Sequence, residues 1–371
     1  EDNTLRYSLT MADKNAPFEE RIQYPPAFHN GSDSLQWMLP KDSGLLLTST
    51  DLASELNKRL TISEFYCAGG LNMGFYGGVD AAAGSGYLAV VDTPVNATVV
   101  YPQSQIGEKQ GFLPVIAFTG DKDVWKEDRQ VRFRFLRSGS YVELSKAYRS
   151  IAKEKGYLVT YAEKAETNPW IERTAVAHRV DLGIDKRAIL TYFDMLAEAG
   201  IDNVMTKTSG VRDSMQGGAY VTVEELIEDG VYREIMEKYP DALLYEYENT
   251  RDVYLTEGEF KLDPDFVSFA QDYLLKGKTG KYFYGWTDIT GVSANILCQS
   301  VNKAYVDYWL QRRPLDVYPT HIKMYDVLAT CNLAEGQCYD HNHPFDRTDT
   351  YNSKRDLVKY VVDKGMDAHT E

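Results

Sequence analysis

Up to Leu136 the apolar positions fall in short runs or alternate with polar ones, and clusters of turn-forming residues separate them. This spacing predicts strands at 34–40, 44–48, 87–94, 97–101, 113–118 and 131–136. The last is the clearest: Val131, Phe133 and Phe135 alternate with Arg132 and Arg134, the period of a strand with one face buried. The pairs Gly69–Gly70 and Gly77–Gly78, and Gly84 with Gly86, read as loops. Many short strands with no helical period predict a β-sandwich over residues 1–138.

From Gly139 the period changes. Leu144, Ala147, Tyr148, Ile151 and Ala152 follow one face of a helix that Gly156 closes, so 139–170 is expected to be a helical linker. Beyond Pro169 and Trp170, strand-like runs at 174–180, 203–208, 242–247, 322–330 and from 366 alternate with helical ones. Asp185 is the expected N-cap of the helix carrying Ile189, Leu190, Phe193 and Leu196, which stops at Gly200. Further helices are expected at 223–239, around Tyr305 and Trp309, and around Leu357 and Val361. This alternation predicts a parallel β/α-barrel domain of TIM type over 171–371. About five βα units are present, fewer than a closed barrel needs, so the protein is expected to continue past Glu371. No glycine-rich dinucleotide loop follows any strand, which argues against a Rossmann domain.

Charge removes some classes of function. A net charge of −15 is wrong for a nucleic-acid partner, whose phosphates require a basic footprint. No apolar run approaches the ~20 residues that span a bilayer, so membrane insertion is not expected. Cys67, Cys298, Cys331 and Cys338 lack a tight metal-binding spacing and are expected to be free, small apolar residues. Asn30 and Asn96 begin glycosylation sequons.

The chemistry concentrates near the end. Asp326 and Glu371 lie at the ends of successive strand-like runs joined by a helix, the way a barrel presents two catalytic carboxylates at one face. Trp286 and Asp288 sit in an aromatic loop, where a ring can stack on a pyranose and a carboxylate can take its hydroxyls. His178, Lys207 and Glu246 come near predicted strand ends, where barrel sites are built. His341 and His343 flank Asn342 beside Asp340 in a loop expected to be pinned by hydrogen bonds, with His343 also a sugar-contact candidate. His-x-His without a settled third ligand is weak evidence for zinc, so no catalytic metal or other cofactor is expected; a structural calcium at Asp340 is the alternative.

Several motifs carry a family resemblance. They are Tyr24-Pro-Pro, Trp37-Met-Leu-Pro40, Leu71 to Gly77, Val91-Asp-Thr-Pro94, Arg132 to Phe135 and Tyr141 to Arg149, followed by Glu163-Lys164 and Asn168-Pro169. Tyr325-Asp326, Cys338 to Pro344, Arg347 and Glu371 extend the series, and 321–371 is its most specific part. Together they resemble bacterial glycoside hydrolases of the α-N-acetylgalactosaminidase and endo-α-N-acetylgalactosaminidase group, families 129 and 101. The resemblance implies a retaining, secreted or periplasmic enzyme that cleaves α-linked galactose or N-acetylgalactosamine from an oligosaccharide or glycan. It implies Asp326 as nucleophile, Glu371 as acid/base and Trp286 as the wall of the sugar pocket. Two alternatives stand beside it: a non-catalytic carbohydrate-binding or scaffold protein on a partial barrel, and a metal-dependent hydrolase using the His-rich loop.

Overall fold

The computed structural model describes residues 3–26, 28–29, 31–41, 44–48, 65–67, 70–106, 109–174, 176–178, 187–201, 203–207, 230–258, 262–312, 314–316, 321–325, 327–328 and 336–370. Contacts divide the chain into two compact units. The first comprises Glu1–Val159, Thr330–Ala334 and Asp346–Thr348; the second comprises Thr160–Ala329, Glu335–Phe345 and Asp349–Glu371.

The strands of the first unit are β1 (Thr4–Leu9), β2 (Arg21–Gln23), β3 (Leu35–Leu39), β4 (Leu45–Thr48), β5 (Phe65–Tyr66) and β6 (Phe75–Asp80). They continue with β7 (Ser85–Val91), β8 (Ala97–Val100), β9 (Gln103–Ile106), β10 (Lys109–Phe112), β11 (Val115–Thr119) and β12 (Arg129–Leu136). An antiparallel sheet ordered β1-β12-β7-β6-β3-β4 packs on a second ordered β2-β11-β8-β5, while β9 and β10 form a hairpin. Trp37, Tyr87, Val99, Ile116, Phe118 and Phe133 fill the shared core. The sandwich architecture is therefore present, with all six sequence-predicted strands in it.

The other face of the six-stranded sheet is covered too. Helix α1 (Tyr141–Glu154) lays Leu144, Ala147 and Ile151 onto Phe75, Val79, Leu88 and Val90. Ser140 caps its first turn, accepting from the Val142 N–H at 3.2 Å, and Gly156 follows its end at φ +71°. The first half of the expected linker is thus a packed layer of the first unit. Gly77 and Gly78, expected in a loop, lie instead within β6, every residue of which is buried. A Cβ at Gly77 would come within 2.1 Å of Leu144 Cδ1, so glycine there allows the helix to approach the sheet. Asn96, the asparagine of the second sequon, is 1% exposed and closed to glycosylation in the folded chain.

The second unit begins with α2 (Tyr161–Thr167), entered through a capping box between Thr160 and Glu163, and α3 (Trp170–Arg173). β13 (Val176–His178), α4 (Ala188–Glu198), β14 (Val204–Lys207), α5 (Val231–Lys238) and β15 (Leu243–Glu248) follow. An excursion holds β16 (Asp252–Val253), α6 (Pro264–Gln271), β17 (Tyr284–Thr287) and β18 (Ser293–Ile296). The chain then runs through α7 (Asn302–Arg312), β19 (Ile322–Tyr325), α8 (Arg347–Asp363) and β20 (Asp367–Thr370). Helix α4 starts at Ala188 with Arg187 in the capping position, making no side-chain cap; Asp185 lies outside the described residues.

β13-β14-β15-β19-β20 form one parallel sheet in chain order. Five parallel strands joined by helices match the βα pattern in the sequence, and among the described residues the sheet does not close. One face meets helices: Tyr325 packs with Val306 of α7 and with Leu357 and Val361 of α8. The opposite face gathers Met205, Tyr245 and Ile322 around Trp170, Leu243 and Met324. The excursion after β15 adds a small antiparallel sheet, β16-β18-β17, which the sequence pattern does not reveal. Among the described residues no helix is long and apolar enough to cross a membrane.

Candidate active site

The C-terminal ends of β15, β19 and β20 lie side by side. Glu248 pairs in register with Tyr325, and Tyr325 with Thr370. Asp326 and Glu371, the residues that follow Tyr325 and Thr370, lie outside the described residues. Val327 does not, and its backbone is unusual: a β-branched residue at φ +51°, a left-handed conformation that costs such a side chain on the order of 1–3 kcal/mol. Strain of this kind clusters at active sites, ligand clamps and switch regions.

Beneath this edge a charged pair is buried. Glu248 is 1% exposed and Lys323 5%, and their closest N–O approach is 3.7 Å. Neither is prominent in the sequence, since each looks like an ordinary polar residue of a half-exposed strand. Among the expected strand-end residues, the backbone of His178 pairs with Thr206, Lys207 with Tyr245 and Glu246 with Lys323. The side chains of His178, Lys207 and Glu246 lie outside what the structure describes.

The loop leaving β15 builds a rigid support. Asn249, Thr250 and Asp252 are buried, and Asp252 accepts hydrogen bonds from the Asn249 side chain at 3.1 Å and from Arg251 at 2.9 and 3.0 Å. Asp252 presses on the backbone of Gly285, where a Cβ would fall 1.7 Å from Asp252 Oδ1. Gly285 separates Tyr284 from Trp286 on β17, where the register with β18 shifts between Tyr284 and Thr287. The Tyr284 and Trp286 rings are 65% and 50% exposed, so each is open to stacking on a sugar rather than packed in a core. Tyr284 is the partner that sequence reading misses.

Asp288 ties its own turn. Its Oδ1 accepts from the Thr290 N–H at 2.9 Å, the Thr290 hydroxyl at 2.7 Å and the Val292 N–H at 2.8 Å, tying the β17–β18 turn. At 6% exposure it holds the aromatic strand in place.

The His-rich loop is pinned from several sides. Asp340 accepts from the Asn342 N–H at 2.9 Å and from the Lys276 ammonium, and these donors hold its carboxyl down at about 2. His341 points to solvent. His343 is 9% exposed, its ring tilted against Tyr273 at 5.7 Å, with Nδ1 at 3.4 Å from Cys338 Sγ. Cys298 joins them, and the ligand atoms of Cys298, Cys338 and His343 lie within 4.8 Å of one another. The Cys298 thiol contacts Cys338; this contact lowers the Cys338 thiol and, with burial, pushes Cys298 up. Cys67, Cys298 and Cys338 are buried thiols that form no disulfide; Cys331 lies outside the described residues.

No protein-family model matches the sequence, and no curated protein is significantly similar to it. Solved structures do match. The chain is similar over 99% of its length to the α-N-acetylgalactosaminidase NagBb from Bifidobacterium bifidum in complex with Gal-NHAc-DNJ, at 16% identity and a TM-score of 0.75, covering 61% of that chain. It is similar over its full length (100%) to the galactosidase domain of the α-galactosidase–sucrose kinase AgaSK, at 10% identity and a TM-score of 0.54, covering 51% of that chain. A GH36 α-galactosidase, AgaB from Geobacillus stearothermophilus, matches 92% of the chain at 12% identity and a TM-score of 0.54, with 47% of its own length covered. The chain therefore shares the fold of these structures over the part of them that it spans. The chain spans about half to three-fifths of the length of these structures.

Proposed function

We propose that the protein is a retaining glycoside hydrolase of the α-N-acetylgalactosaminidase type, acting on glycans with a terminal α-linked galactose or N-acetylgalactosamine. Asp326 attacks the anomeric carbon while Glu371 protonates the departing oxygen. Glu371 then takes a proton from water as that water displaces Asp326 from the sugar.

The observation that carries this reading is the register of Tyr325 with Thr370 on adjacent parallel strands. Neighbouring strands are about 4.8 Å apart. A retaining pair needs its carboxyl groups about 5–5.5 Å apart, so residues one step beyond such a register pair suit the chemistry. The left-handed backbone of Val327 and the exposed Tyr284 and Trp286 rings support the same reading. So does the fold of the α-N-acetylgalactosaminidase and α-galactosidases above. In this proposal the parallel sheet belongs to a TIM-type β/α barrel.

The test is hydrolysis of a panel of aryl α- and β-glycosides by the wild-type chain and its Asp326→Asn variant. Release from an α-galactoside or α-N-acetylgalactosaminide, abolished in a folded variant, is the expected result. Sugar binding without turnover, unchanged by Asp326→Asn, would replace the enzyme with a carbohydrate-binding scaffold.

A further inference from the structure

We propose that Cys298, Cys338 and His343 form a binding site for a thiophilic divalent cation, zinc above all, that ties together the loops leaving β15 and β19. The site is independent of the carboxylate pair and of any sugar.

The argument begins with where these residues meet. Cys298 follows β18, at the end of the excursion from β15, whereas Cys338 and His343 belong to the loop between β19 and α8. Their ligand atoms nevertheless converge within 4.8 Å. Cys298 and Cys338 are both 0% exposed, within an apolar cluster of Leu275, Ile296, Phe283 and Phe345. Two thiols and an imidazole are the donors zinc prefers, and a tetrahedral ion with ordinary bond lengths sets a sulfur and a nitrogen ligand about 3.5 Å apart. The Cys338 Sγ to His343 Nδ1 separation is 3.4 Å.

The surroundings fit a ligating histidine. With Nδ1 turned to the sulfur, Nε2 faces a carboxylate: Asp340 Oδ1 is 3.9 Å away. Metal-bound imidazoles commonly have such a carboxylate on the far nitrogen, where it fixes the ring and its tautomer. Asp340 is itself held by Lys276 and the Asn342 N–H. The Ser300 hydroxyl donates to Cys298 Sγ at 3.2 Å, and water can fill the fourth position. On binding, both thiols become thiolates and two protons pass to solvent, while the imidazole binds neutral.

The same geometry admits a rival, a Cys298–Cys338 disulfide, and the experiment separates the two. The full chain is purified under reducing conditions, stripped with a chelator, and titrated with Zn2+ against a chromophoric competitor. One tightly held zinc per chain is expected. Cys298→Ser, Cys338→Ser and His343→Ala should each lose it, while Cys67→Ser keeps it. Asp340→Asn, which alters only the positioning carboxylate, should weaken binding by about 10- to 100-fold. Circular dichroism identifies any variant that fails to fold. Cobalt substitution of the wild type gives a readout that needs no variant: thiolate-to-cobalt charge transfer with the intense visible bands of a tetrahedral site. Absence of a stoichiometric metal in the reduced wild type, zinc retained by the folded Cys298→Ser and Cys338→Ser chains, or cobalt spectra without thiolate bands would each overturn the proposal. So would a Cys298–Cys338 disulfide that persists under reducing conditions. None of these measurements depends on glycosidase activity.

Discussion

Gly77, in the middle of β6, lies directly beneath Leu144 of α1, so close that a Cβ on the glycine would approach Leu144 Cδ1 to 2.1 Å. The same Cβ would meet the Tyr87 carbonyl oxygen at 2.9 Å, so the strand cannot shift away to make room. Gly77→Ala should therefore destabilise the first unit by roughly 1–3 kcal/mol, the usual range for an overpacked core. Leu144→Ala alone should cost about 2–5 kcal/mol by leaving a cavity. Because each change relieves the other, urea unfolding of the double variant should show less loss than the two losses added. Strict additivity would mean that helix and sheet do not meet at this point.

A second prediction concerns acid. Asp307 on α7 is partly buried, which alone would raise its carboxyl; the Lys364 ammonium at 2.9 Å and the Tyr360 hydroxyl at 2.7 Å outweigh this and lower it. A carboxyl lowered by folding contributes stability that is complete above its unfolded value, near pH 4, and disappears as pH falls through the folded value. Asp307→Asn should thus be less stable than wild type at neutral pH, with the gap shrinking below about pH 4. Thermal unfolding of both chains across that range checks it; a gap independent of pH would contradict it.

Trp286 separates stacking from packing. At 50% exposure it has little core to lose, so Trp286→Ala should change unfolding stability by no more than ~0.5 kcal/mol. If its face carries a sugar, KM should rise by up to about tenfold, the equivalent of ~1.4 kcal/mol. Unaltered steady-state kinetics would remove Trp286 from the site.

Glu371 can be tested by what replaces it. In a retaining enzyme without its acid/base, an aryl glycoside with a good leaving group still glycosylates the nucleophile, and the intermediate then accumulates. Azide, which needs no general base, should restore turnover of Glu371→Ala and give an α-glycosyl azide, the retained anomer. A β-azide would instead mark position 371 as the nucleophile.

The sequence reveals the elements whose two faces differ. β12 shows its alternation because Val131 and Phe133 enter the sandwich core, while Arg132 lies on the other side and pairs with Asp92 at 2.8 Å. β6 is hidden for the opposite reason: both faces are buried, so alternation vanishes, and its paired glycines imitate a turn. The five parallel strands are legible because helical periods separate them along the chain, whereas β16, at two residues, is too short to carry a period. The site divides in the same way. The side-by-side ends of β19 and β20 follow from chain order once the βα units are counted. The meeting of Cys298 with Cys338 depends on how two long loops pack, and no local spacing encodes that. Residue type alone also does not reveal that Asp288, beside the exposed Trp286, ties its own turn.

The most direct measurement is to trap the covalent intermediate. The chain would be treated with a 5-fluoro-α-galactosyl fluoride, or its N-acetylgalactosamine counterpart, then digested and mapped by mass spectrometry. The account predicts one glycosyl label per chain, on Asp326. A label on any other carboxylate, or steady turnover of α-glycosides with no residue labelled, would contradict it.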